Sequence, residues 1–187
     1  YYEAAISSRD ERLEHFTALG VAVSRMCRDP LLQYGPKALE DHKKGLCTYD
    51  VEQVVLAIVV TTGIASIFLT KDYTPDYNSG LAHAVFYAMT SYPVIEEKHL
   101  HGEVVGFGVL LALLVDKDEE EFEAIYRLNR ALGLPVSLEE IEITEEQWEE
   151  CETRIPDMSD VAHYPYRVTK EMLDAAMARL RERAAQE

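Results

Sequence analysis

The chain alternates apolar stretches of several helical turns with short segments of glycine, proline and capping residues. This pattern predicts helices over 3–28, 31–46, 51–69, 79–91, 99–115, 118–132, 144–154 and 169–184, with breaks at Gly35-Pro36, Pro75, Pro93, Gly133 with Pro135, Pro156 and Pro165. Asp50 stands three before Gln53, Ser137 three before Glu140 and Thr144 three before Gln147, the spacing of a capping box at a helix start. The most apolar run, Val54 to Leu69, holds Thr61, Thr62, Gly63 and Ser66 and falls short of the roughly 20 residues a bilayer span requires. Its β-branched start is compatible with a strand, but the length from Asp50 to Leu69 favours a helix buried on most sides. Arg179, Arg181 and Arg183 complement the dipole at the end of the last segment.

Composition narrows the picture to a single cytoplasmic domain. With 187 residues, 48% of them apolar, the chain can build one sizeable core. Its 18 basic and 34 acidic residues give a net charge of −16, a field that repels phosphate backbones and anionic lipid. Nucleic-acid and membrane-surface roles are therefore not expected. Cys27, Cys47 and Cys151 are odd in number and widely spaced, which fits core-filling thiols in a reducing compartment better than disulfides. The chain opens Tyr1-Tyr2-Glu3 with neither an initiator Met nor a basic leader, so its start reads as a cut.

Two histidines, His83 and His101, each open an apolar helical stretch. A helix N-terminus disfavours imidazolium, so both rings are expected to stay neutral and able to ligate. Ser79-Gly80 is a plausible cap before His83, and Gly102 would let a backbone or ligand approach closely. On spacing alone the pair fits either local hydrogen bonding or a shared metal ion. His99 is expected in solvent or behind a ligand, and Glu103 is expected to stabilise a helix start. His15, His42 and His163 are expected on the surface or in packing, with Trp148, Tyr164 and Tyr166 as packing anchors. Asp118 to Glu121 reads as a solvated helix N-terminus, and no nucleophile elbow, Walker loop or HExxH is present.

The words around those histidines add a family. Gly80-Leu81-Ala82-His83-Ala84 and His101-Gly102-Glu103-Val104-Val105-Gly106-Phe107-Gly108 resemble the metal-binding region of the glycerol dehydrogenase branch of the iron-containing (group III) alcohol dehydrogenase superfamily. The resemblance continues through Arg130 to Val136, the acidic segment around Trp148 and the Tyr164-Pro165-Tyr166-Arg167 turn. It implies an all-α bundle, with 1–187 as the C-terminal metal-binding lobe of the dehydroquinate synthase-like fold. His83 and His101 would then be metal ligands, for Zn²⁺ or Fe²⁺, facing an NAD-binding lobe that lies outside this chain. The third ligand, an aspartate in a GDxLA-like stretch, would precede Tyr1. The resemblance assigns no catalytic or cofactor-binding residue to this chain. It implies a small alcohol or polyol as substrate, a homo-oligomer, and a chain inactive alone, with apolar surface left to self-associate.

The resemblance departs at Phe86 and Tyr87, where glycerol dehydrogenases typically carry a His-Asn pair. A 2-hydroxy acid dehydrogenase of the same superfamily is therefore an alternative, as is a non-catalytic helical interaction module. Dehydroquinate synthase-type substrates are disfavoured, because no cluster of Lys or Arg accompanies either histidine.

Overall fold

A computed structural model describes residues 1–70 and 77–187, so the break expected at Pro75 lies outside the described residues. These residues form ten α-helices and short π and 3₁₀ turns, with no strand among them. The helix most apolar around its circumference is α7 (His101–Val115), and it lies at the centre. Phe107, Leu110, Leu111 and Ala112 are fully buried there, each large side chain contributing about 1.5–3 kcal/mol.

Around α7 pack α5 (Leu81–Met89), α8 (Glu119–Leu132) and α10 (Lys170–Ala184), while α9 (Glu145–Arg154) lies against α5 and α10. They contribute Val85 and Met89, Phe122 and Tyr126, Trp148 and Cys151, and Leu173 and Leu180 to one core. Trp148 and Tyr164 are buried anchors, as expected. The caps follow side-chain chemistry: Thr144 and Gln147 close a reciprocal box, Asp118 accepts from the Glu121 amide at 3.1 Å, and Gly133 ends α8 in the left-handed region.

Several boundaries differ from the sequence expectation, each for a tertiary reason. The first predicted helix divides into α1 (Tyr2–Ser7) and α2 (His15–Lys43). Between them Arg9 turns away to Asp116 at 2.9 Å and Glu11 to His163 at 2.7 Å. By contrast α2 runs unbroken through Pro30 and Pro36. A proline inside a helix costs about 3 kcal/mol, so the helix needs support from outside. It receives it from α3 (Tyr49–Leu56), a π turn (Ala57–Thr61) and α4 (Thr62–Leu69), which lie along α2 as one continuous helical run.

Thr48, not Asp50, caps that run. Ser137 and Glu140 close a turn over 137–142 rather than a helix. Pro93 opens the short helix α6 (Pro93–Lys98) as its first residue, where no amide is needed.

The largest departure is the exposure of the apolar run. Only Ala57, Ala65 and Leu69 are buried, whereas Leu56, Ile58, Val59, Val60, Ile64 and Ile67 face outward. Tyr49–Leu69 is 21 residues long, and by length and composition alone it is apolar enough to cross a membrane. Hydrophobic periodicity gave a helix but could not say how many of its sides would be covered.

Close approach of α5 and α7 sets the position of both histidines. A Cβ placed on Gly108 would lie 2.6 Å from the Ala82 carbonyl oxygen and 2.8 Å from Ala82 Cα, so only glycine allows the two backbones to touch. Gly102, expected to serve such an approach, has nothing within 4 Å of an added Cβ. Gly108→Ala should therefore destabilise the chain by about 1–3 kcal/mol despite alanine's better helix propensity. Thermal or urea unfolding checks this, and an unchanged or raised stability would contradict it.

Candidate metal centre

The amides at the start of α5 need acceptors, and the capping residue Gly80 has no side chain to supply one. The acceptor comes from α1. One oxygen of the nearly buried Glu3 carboxylate takes the Gly80 amide at 2.8 Å and the His83 amide at 2.9 Å. Its other oxygen lies 2.7 Å from His83 Nδ1. The Leu81 amide donates to the Tyr164 hydroxyl at 3.3 Å. Glycine at position 80 makes room, since an added Cβ would meet Glu3 and Tyr164 carbons at 3.2 Å. Ser79, expected as a cap, instead donates its hydroxyl to Asp160.

A carboxylate against Nδ1 fixes the tautomer of neutral His83: Nδ1 carries the proton and Nε2 keeps the free lone pair. Burial pushes the His83 pKa down, but the hydrogen bond and charge of Glu3 outweigh it and the net shift is upward. At His83 the shift thus runs opposite to the one expected of a helix start, because a carboxylate at 2.7 Å outweighs the partial charge of a helix end. His101 moves the other way, lowered first by burial and then by His83.

The two rings lie side by side, with centres 5.3 Å apart and planes inclined by 49°. The edge-on contact of Phe86 with His101, at 4.3 Å between centres, holds that ring, and Tyr87 lies 6.1 Å from His83. Aromatic side chains thus wall the pair on one side. At the start of α7, Glu103 accepts from the Leu100 amide at 3.0 Å, the stabilising role expected of it.

The remaining residues singled out from the sequence divide. His99 is not in open solvent; it lies between Glu103 at 3.7 Å and Glu142 at 3.6 Å. His15 and His42 are exposed, while His163 pairs with Glu11. Cys151 fills the core as expected, but Cys47 is exposed and Cys27 only partly covered. Glu121, expected in solvent, pairs with Arg28 and Tyr2. Sequence reasoning did not single out Glu3, whose only signal was a lone acidic residue in an apolar first turn.

The donor set fits part of a metal site. Two imidazoles bound to one tetrahedral cation at about 2.1 Å per bond have ring centres roughly 5 Å apart. The observed 5.3 Å is that distance. Among the described residues no three His, Cys, Asp or Glu side chains converge as a complete ligand set.

With this geometry in view, comparison with known proteins is informative. No family model matches the chain. It is 30% identical over 134 residues to a glycerol dehydrogenase of Escherichia coli O6:H1, and 34% identical over 135 residues to one of Pseudomonas putida. Each match covers 70% of this chain and 33% of the relative. A probable glycerol dehydrogenase from Sinorhizobium meliloti 1021 superposes with a TM-score of 0.78 at 24% identity, over 99% of this chain and 52% of that one. The chain thus spans a third to a half of the length of the proteins it matches. Its fold is the all-helical C-terminal lobe of the glycerol dehydrogenase structures. It is a glycerol dehydrogenase-like chain, corresponding to the C-terminal part of such a protein.

The Glu3 contact generates a pH prediction for the metal-free chain. The folded pKa of His83 is raised above its ordinary 6.5. The contact's stabilisation is therefore complete below pH 6.5 and lost as pH rises through the raised value. Glu3→Gln should move the His83 titration downward and remove that pH-dependent increment. NMR titration of the imidazole protons measures it, and an unmoved His83 titration would refute the assignment.

Proposed function

We propose that this chain is the metal-holding lobe of an NAD-dependent alcohol or polyol dehydrogenase, with His83 and His101 as two ligands of one divalent cation, Zn²⁺ or Fe²⁺. The observation that carries the reading is the 5.3 Å separation of the two rings, with the Nδ1 of His83 already engaged by a carboxylate. A ligating histidine almost always donates its second ring N–H in this way, which orients the ring and strengthens the donor. The relatives' names support the reaction class.

When bound, such a cation supplies Lewis acidity toward a substrate hydroxyl, while the nicotinamide belongs to the other lobe of the enzyme. The residues of this chain present and orient. Glu3 holds the Nδ1 proton of His83 and leaves Nε2 as the free donor. Phe86 props the ring of His101. Phe86 and Tyr87 narrow the approach and exclude water, favouring a less polar substrate face than a His-Asn pair would. Gly108 allows the close approach of α5 and α7, the two helices whose histidine rings lie side by side. By itself the chain is expected to be inactive. Its three free thiols accord with a cytoplasmic setting.

Calorimetric titration with Zn²⁺ in a Cys47→Ser background tests the site without relying on activity. One weak site per chain is expected, abolished by either His83→Ala or His101→Ala and weakened about tenfold or more by Glu3→Gln. Unchanged Zn²⁺ binding in both histidine variants would overturn the proposal.

A further inference from the structure

Two acceptors close the open start of α5: Glu3, delivered by α1, and the Tyr164 hydroxyl, delivered by the turn before α10. Behind both lies a single carboxylate, Asp116, at the far end of α7 from His101. Its side chain is 7% exposed and takes three hydrogen bonds: one from each terminal nitrogen of Arg9, at 2.9 Å for Nη1, and one from the Tyr166 hydroxyl at 2.9 Å. Burial and the negative end of the α7 dipole both disfavour a carboxylate at this position, and these donors offset them.

Each donor is stiffly joined to one acceptor. The Arg9 amide still bonds the Ile6 carbonyl at 3.3 Å, so Arg9 continues the turn of α1 and moves with Glu3. Tyr166 follows Tyr164 across Pro165, whose ring fixes one backbone angle, and the two phenol rings meet edge to face at 5.7 Å between centres. A second tie between the same two segments, Glu11 to His163 at 2.7 Å, lies on the surface, where ion pairs contribute little.

We infer that Asp116 is a remote positioning residue for His83: from the C-terminal end of α7 it holds α1 and the Tyr164 turn where their acceptors meet the amides and the ring of α5. Both rings of the pair are then referenced to α7, which carries His101 at its first residue and aims His83 through Asp116 at its end, about 22 Å away along the 15-residue helix. The consequence for a cation rests on the metal reading above; the effect on α5 and on the His83 ring does not.

Amide hydrogen exchange on the metal-free whole chain, followed residue by residue by NMR, tests this through three amides whose acceptors differ. Arg9→Gln should speed exchange of the Gly80 and His83 amides about tenfold or more and leave the Leu81 amide within about twofold, Tyr166→Phe should do the reverse, and Asp116→Asn should loosen all three. Removing a negative charge from a helix C-terminus does not weaken α7 itself, and the Leu110 and Leu111 amides in its middle serve as the control. Unchanged exchange at Gly80, Leu81 and His83 in Asp116→Asn overturns the inference. So does a loss of protection there no greater than at Leu110 and Leu111, which would mark general destabilisation. In the Zn²⁺ titration Asp116→Asn should weaken binding about threefold or more. A wild type that binds no Zn²⁺ would overturn the metal reading instead, and the exchange rates alone would then decide the role of Asp116.

Discussion

One carboxylate organises the candidate site. Glu3 reaches from α1 to the open end of α5, where it accepts two amides and a ring nitrogen at 2.7–2.9 Å. Without it the start of α5 would have one buried and one partly buried amide donor with no acceptor, the buried one costing about 1–3 kcal/mol. The same contact sets the rotamer and tautomer of His83, so helix capping and ring orientation are a single event. Folding of the first turn is thereby coupled to the state of an imidazole 80 positions away in sequence.

The second requirement is proximity between helices. Gly108 removes the one side chain that would hold α5 and α7 apart, and His101, two turns earlier on α7, comes to rest beside His83, one residue past Ala82. Phe86 completes the arrangement from the next turn of α5. Each of these positions lies on a rigid helix whose opposite side is deep in the core, which suits a task of presenting donors at a set distance.

Much of this was legible in the residues. The all-helical fold follows from caps and apolar stretches, and the histidine pair from its motifs. The failures have definite causes. Glu3 was invisible because its partners are distant in sequence, and no local pattern marks an acid that caps another helix. Gly102 was expected to serve a close approach because it adjoins a histidine, whereas close approach is decided by where helices cross, which is at Gly108. Gly35-Pro36 read as a break, and the predicted helices were divided between 28 and 31, because the helix that braces α2 could not be placed in advance. The apolar run Val54 to Leu69 was expected to be buried because composition records what a face would prefer, not whether this chain supplies a cover.

The central claim is that two ring nitrogens meet at one cation. X-ray absorption at the zinc edge of the loaded chain reads this directly. The account predicts two imidazole nitrogens at about 2.0–2.1 Å, with lighter oxygen donors completing the shell. A spectrum showing one imidazole or none, or sulfur at about 2.3 Å, would contradict it.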